Sequence, residues 1–263
     1  MPRAFIAIAL ALVAWCAPAE ASQRDKDALA ASQAVIGETV PDLVFTGTRG
    51  ERIPLASFRG RPLLLTLVYT GCADVCPAVI ETLRPAIDAA EEALGRDSFG
   101  VLTIGFDSRN DTPDRLRSFA RQHGADDPRW TFAAGDIQSI ATLSDAVGFT
   151  FEPSAGGFSH TAQVTVLDRG GKVYAQVYGD ALSTPAIVEP LKGVVWGRER
   201  SLFSLAGLTD RVKLFCTVFD PRTGRYAFDY SLFASIIIGA LCLAFVLAVL
   251  VRETRRTLRA GGG

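Results

Sequence analysis

The chain has 263 residues, 49% of them hydrophobic and 21% charged, with a formal net charge of -1. That balance excludes a disordered chain. Without a Lys/Arg-rich block, nothing could neutralise a row of phosphates, so nucleic acid is excluded as a partner. Any soft-metal site must be built from a short inventory: five Cys, two His and one Met, at position 1.

In chain order, residues 1–21 read as a secretory signal, with Arg3 as its basic end, an apolar run over 4–16 and small residues at Ala19-Glu20-Ala21 for cleavage. An uncleaved anchor helix is the alternative, and Trp15 ahead of Cys16 argues against a lipid-modified cysteine. Residues 22–34 form a lead into a domain over 35–196. Within it, 63–69 predicts a buried strand, 77–94 a helix stopped by Gly95, and 100–106 a second buried strand. A helix over 112–123 is opened by Asp111-Thr112-Pro113 and closed by Gly124. A short strand over 130–133 and a helix over 137–147 follow. Strands 160–167 and 172–178 flank the turn at Asp168-Arg169-Gly170-Gly171, and a helix starts at 184 and runs to 191. This alternation predicts an α/β architecture with part of the sheet parallel.

Residues 197–230 read as a juxtamembrane stalk, with an amphipathic stretch over 208–215 and a turn at 220–224. Residues 231–251 carry no charge and, at ~1.5 Å per residue, span roughly the 30 Å of a bilayer's hydrocarbon core. A transmembrane helix is expected there, led by Tyr226, Phe228, Tyr230 and Phe233 and trailed by Arg252, Arg255, Arg256 and Arg259. The positive-inside rule places the tail 252–263 in the cytoplasm. The domain is then expected on the periplasmic side of a bacterial inner membrane, held by a C-terminal anchor.

With Cys16 in the signal and Cys242 in the membrane segment, three cysteines are left outside: Cys72, Cys76 and Cys216. Cys72-x-x-x-Cys76-Pro77 sits between a buried strand and a helix, in an oxidising compartment. Sulfurs four residues apart at a helix start share a face, with Cβ atoms within ~6 Å, near enough to hold one small ion or to close into a disulfide. The helix N-terminus favours the thiolate, which is both metal ligand and nucleophile. A plain structural disulfide is the bland alternative, although so short a loop would stabilise the fold little. His160, within Gly156-Gly157-Phe158-Ser159-His160-Thr161, is read as delivered by a flexible loop at the start of a strand. His123 is set aside as an exposed residue capping a helix end before Gly124. Two thiolates and one imidazole form a soft three-coordinate set that suits Cu(I) and can also hold Cu(II). Zinc would want a fourth ligand, and only Cys216, in an apolar stretch, could supply one.

Three separated stretches, lying across roughly 35–196, together resemble the Sco/SenC family. They are Cys72-x-x-x-Cys76-Pro77 with Asp74 inside it, Asp107-x-x-x-Asp111-x-Pro113, and His160 ahead of the penultimate strand. The resemblance implies a thioredoxin-like fold with peroxiredoxin-type additional elements, and Cys72, Cys76 and His160 as copper ligands. It also implies a Cys72/Cys76 redox pair that forms a disulfide when oxidised, and a role in delivering copper to the CuA centre of cytochrome c oxidase. The implied partners are the copper-accepting subunit of a haem-copper oxidase and a thioredoxin-like reductant. Many members of that family are anchored by an N-terminal helix; here the expected anchor is C-terminal, so the polarity is reversed.

The acidic residues admit two readings each. Asp111 caps the helix near Pro113 and Asp107 ends a strand in a polar loop, or the two act beside the cysteines or on a partner. Asp74, exposed between the thiols, either modulates them or meets a partner. A thiol-disulfide oxidoreductase using Cys72 and Cys76 is the alternative function. Copper is favoured because three residues separate the thiols rather than two, and because no Pro immediately precedes the strand at His160. A peroxiredoxin-type peroxidase would need Thr or Ser three residues before its attacking cysteine, where this chain has Tyr69 and Ala73.

Overall fold

The computed structural model describes residues 23–154, 156–179, 182–196, 217–220, 225–228, 234, 237–241 and 243–244. The expected signal, Cys16, Cys216, Cys242 and most of 231–251 lie outside the described residues. Among the described residues no helix is long and apolar enough to cross a membrane.

A seven-stranded sheet forms the centre. Its parallel heart is β3 (Leu63–Val68), β4 (Gly100–Gly105) and β5 (Trp130–Ala134), paired in that order. All six residues of both β3 and β4 are buried, which is why their sequences are near-continuous apolar runs, each broken only by a buried threonine, Thr66 or Thr103, rather than alternating ones. On one side β5 pairs antiparallel with β1 (Val44–Gly47), which pairs with β2 (Arg52–Pro54). On the other, β3 pairs antiparallel with β8 (Gln163–Leu167), and β8 with β9 (Val173–Tyr178). A separate two-stranded ribbon joins β6 (Phe151–Ser154) to β7 (Gly157–His160), and β10 (Thr217–Asp220) pairs with β11 (Arg225–Phe228).

The helices follow from amphipathic spacing and end signals. After α1 (Gln23–Ala34), α2 (Val75–Leu94) buries Val79, Ile80, Leu83, Ala86, Ile87, Ala90 and Leu94, a stripe recurring at three to four residues, and stops at Gly95. In α3 (Pro113–Gln122) the Thr112 hydroxyl accepts from the Arg115 N–H and Pro113 fills the first helical position. In α4 (Ile137–Val147) the Asp136 carboxylate accepts from the Ser139 N–H, and Gly148 closes the helix at a φ of 60°. Finally α5 (Thr184–Trp196) packs on α2.

The strand–helix–strand unit β3–α2–β4, followed downstream by the hairpin β8–β9 and α5, is a thioredoxin-like α/β arrangement, as the resemblance implied. Two boundaries differ from the sequence reading. The last helix runs through Pro190 to Trp196 instead of ending at 191. The strand expected over 160–167 is two elements: His160 ends the ribbon strand β7, and β8 starts at Gln163. A sheet ladder needs partners, and residues 157–160 find theirs in 151–154 rather than in β3.

The topology determines where chemistry gathers. The C-terminal ends of β3 and β4 lie at one edge of the sheet, with Val68 opposite Gly105. Because β8 runs antiparallel to β3, with Thr66 opposite Val164, its N-terminal end lies at that edge too. The loops after β3, after β4 and before β8 therefore converge.

Candidate metal centre

Cys72 lies in the turn after β3, closed by the bond from its own N–H to the Tyr69 carbonyl at 3.1 Å. Cys76 is the second residue of α2 and is 1% exposed. Asp74, at the N-cap position, makes no side-chain capping bond. Instead the Cys72 sulfur accepts from the Cys76 N–H at 3.3 Å, so that a thiol serves one of the orphan donors at the helix start. The two sulfurs and a ring nitrogen of His160 all lie within 4.8 Å of one another, with Cys76 Sγ 3.6 Å from His160 Nε2. Among the described residues this is the one such group of metal-ligating side chains.

The two thiols are electrostatically unlike. Burial works to raise Cys72, but the N–H groups of Cys76 and Asp74 and hydrogen bonds from the Cys76 and Tyr69 side chains outweigh it, and the net shift is downward. Burial dominates at Cys76 and pushes its thiol far above the ordinary range, with the Tyr69 N–H opposing and the charge of Cys72 adding. The sequence expectation that the helix N-terminus favours the thiolate therefore holds for Cys72 and fails for Cys76, where desolvation wins. His160 is held below the usual imidazole range by burial, against the pull of the Thr161 carbonyl. That carbonyl lies 3.2 Å from Nδ1 and can only accept, so Nδ1 carries the proton and Nε2 keeps its lone pair toward Cys76. A protonated Cys76 can donate to that lone pair.

An aromatic cluster fixes the imidazole. The Phe106 ring lies 5.3 Å from that of His160 and also contacts Tyr69, Phe149, Phe151 and Phe158; Tyr69 meets His160 edge-on at 5.8 Å. The sequence reading missed this cluster. Its signal was available, since Tyr69 and Phe106 each follow the last residue of a buried strand, Val68 and Gly105, and adjacent parallel strands end level. Gly157 makes room for it: its φ is 125°, and a Cβ there would sit 2.7 Å from the Tyr69 hydroxyl. Gly157→Ala is expected to displace the ribbon and weaken metal binding at His160 by about tenfold or more; chelator competition on the variant checks this. Beyond the imidazole, a cavity of about 370 Å³ lies between the ribbon and Ala28 and Ala31 of α1.

The remaining sequence candidates sort themselves by position. Asp74 is exposed beside the thiols, and its N–H contributes to holding Cys72 down. Asp107 organises its own loop, accepting from the Arg109 N–H at 3.3 Å and the Asn110 side-chain amide at 2.7 Å. Asp111 is not a helix cap, because Thr112 is. Its carboxylate is 3% exposed and reaches across to the loop ahead of Cys72. Burial raises it, against the hydrogen bonds from Thr70 and the Asp107 N–H. His123 does cap the end of α3, as expected, but it is not exposed: its ring is half-buried against Phe119 at 4.6 Å, with Nδ1 3.0 Å from Glu81.

A thioredoxin-like domain that places two thiols and a neutral imidazole at the strand ends defines a class of soft-metal and thiol proteins. The SCO1/SenC family model matches residues 33–195, and the chain belongs to that family. A SCO1 protein homolog of Bacillus subtilis is 26% identical over 102 residues, which cover 38% of this chain and 51% of that protein, so the match spans about half the relative's length. Among solved structures, a SCO1/SenC family lipoprotein from Bacillus anthracis superposes with a TM-score of 0.54 at 20% identity, covering 60% of this chain and 95% of that one. Bradyrhizobium japonicum ScoI with copper bound superposes with a TM-score of 0.50 at 22% identity, covering 59% and 99%. Both share the fold.

Proposed function

We propose that this chain carries copper on Cys72, Cys76 and His160 and delivers it to the CuA centre of cytochrome c oxidase, through the copper-accepting subunit of that haem-copper oxidase. The observation that carries the reading is the compact set of two sulfurs and one imidazole nitrogen. Such soft donors suit Cu(I) and can hold Cu(II). Membership in the SCO1/SenC family supports the reading. The three groups are unequally prepared for loading: Cys72 is the more readily ionised, His160 is neutral with Nε2 free of its proton, and Cys76 must give up its proton. The proposed topology keeps the signal at 1–21, the stalk at 197–230, the anchor at 231–251 and the tail at 252–263, with the domain on the periplasmic face of a bacterial inner membrane. The uncharged run 231–251 and the arginines behind it support this.

The test is anaerobic Cu(I) titration of the reduced full chain against a competing chelator. The Cys72→Ser/Cys76→Ser double variant gives the background of the other thiols. One tightly held copper is expected, absent from the double variant and weakened by about a hundredfold in His160→Ala, with proton release on loading that includes the Cys76 proton. Weak binding indifferent to His160 would sink the reading.

A second reading draws on the unequal thiols. As a thiol-disulfide oxidoreductase, the half-buried Cys72 would attack a partner disulfide, and the buried Cys76 would then displace the partner thiol and close the Cys72–Cys76 disulfide. The two electrons would go to the acceptor's copper-site cysteines, and a thioredoxin-like reductant would restore the dithiol. The reduction potential of the pair separates this role from copper carriage.

A further inference from the structure

We propose that Asp111 is a positioning residue for the copper site, a buried carboxylate that clamps the turn bearing Cys72 to the loop after β4. The proposal rests on the copper reading above. Three donors converge on this side chain: Oδ1 accepts from the Thr70 N–H at 2.8 Å and the Thr70 hydroxyl at 2.7 Å, and Oδ2 accepts from the Asp107 N–H at 2.9 Å. Among the described residues no cationic side chain pairs with it. A carboxyl group on a residue 3% exposed and held by hydrogen bonds alone is strongly position-dependent, because losing any donor leaves an oxygen unsatisfied in a low-dielectric interior.

What it holds is specific. Thr70 lies inside the Tyr69–Cys72 turn, two residues before the first sulfur, and that sulfur in turn meets the Cys76 N–H. The Asp111 side chain also sits on bare backbone, since a Cβ at Gly105 would come within 2.6 Å of its Cβ and 3.0 Å of Oδ2. The ends of β3 and β4 are thus fastened side by side at the point where the cysteine loop leaves the sheet. Asp107, with its side chain turned to its own loop, contributes the N–H that anchors the other half of the clamp.

Isosteres separate the clamp from bulk packing. Asp111→Asn keeps the shape but turns an NH₂ toward a donor whichever way the amide is placed. Thr70→Val removes one donor at constant volume, and Thr70→Ser keeps every donor. The full chain is titrated anaerobically with Cu(I) against a chelator, the Cu(II)–thiolate charge-transfer spectrum is recorded for each variant, and thermal unfolding of the metal-free chains serves as control. Asp111→Asn and Thr70→Val are expected to weaken Cu(I) about ten- to a hundredfold and to shift the charge-transfer band. Their double variant should lose no more than the worse single one, and Thr70→Ser should match wild type. Wild-type spectra and affinities within about twofold in Asp111→Asn would overturn the clamp even if the melting temperature fell. Failure of the unmutated chain to bind Cu(I) would overturn the copper reading and the clamp with it, and shows before any variant is compared.

Discussion

Iodoacetamide is expected to modify Cys72 of the reduced chain about a hundredfold faster than Cys76 at neutral pH. The reacting species is the thiolate, and the two sulfurs sit on opposite sides of the ordinary thiol range. Cys72 is lowered by the helix-start N–H groups and by hydrogen bonds from its neighbours, whereas Cys76 is raised by burial. The sign is fixed for each. The Cys72 rate rises with pH to a plateau whose midpoint falls below the ordinary thiol value, while the Cys76 rate stays low across the same interval. Exposure acts in the same direction, since Cys72 is half-buried and Cys76 fully so. Mass-spectrometric timing of each site is the measurement. Equal rates would mean that the helix start does not discriminate between the sulfurs, and the order of attack in the oxidoreductase reading would have to be abandoned.

Phe106→Ala is expected to have the largest effect on stability, about 3–5 kcal/mol, the usual result of emptying an aromatic site in a packed core. Phe106 is 2% exposed and touches five other rings, including His160. Little can collapse into the hole, because its lining belongs to three separate segments: the turn after β3, the 149–151 stretch and the ribbon strand β7. Urea unfolding of the metal-free chain measures the loss. Copper affinity should fall as well, since the imidazole loses the wall that orients it. A loss below ~1 kcal/mol would show that the cluster repacks freely and that His160 is held by its backbone alone.

Much of this architecture was legible in the chain. Near-continuous apolar runs announced β3 and β4, and end signals placed α2, α3 and α4 to within a residue or two. The two cysteines and His160 followed from chemistry and elimination, with the resemblance behind them. What was not legible depended on neighbours distant in sequence. A run such as 160–167 has the same local pattern whether or not it breaks at 161, and only the pairing of Phe151 with His160 shows that it does. Asp111 before Thr112-Pro113 looks like a cap, because two adjacent polar residues compete for that role and the sequence does not say that the first is drawn inward by Thr70. The opposed shifts of the two thiols were hidden for a similar reason. The helix start acts on both, and burial, which decides between them, is a property of the whole fold.

The nitrogen donor comes from a segment 84 residues after the second sulfur, just ahead of β8, whose pairing with β3 brings that segment to the strand ends. A chain that has emerged only as far as α2 offers two sulfurs without their imidazole, and closing so long a loop belongs to the late stages of folding. The full donor set is therefore a property of the finished domain alone. On the copper reading proposed above, tight metal retention is expected to report on completed folding.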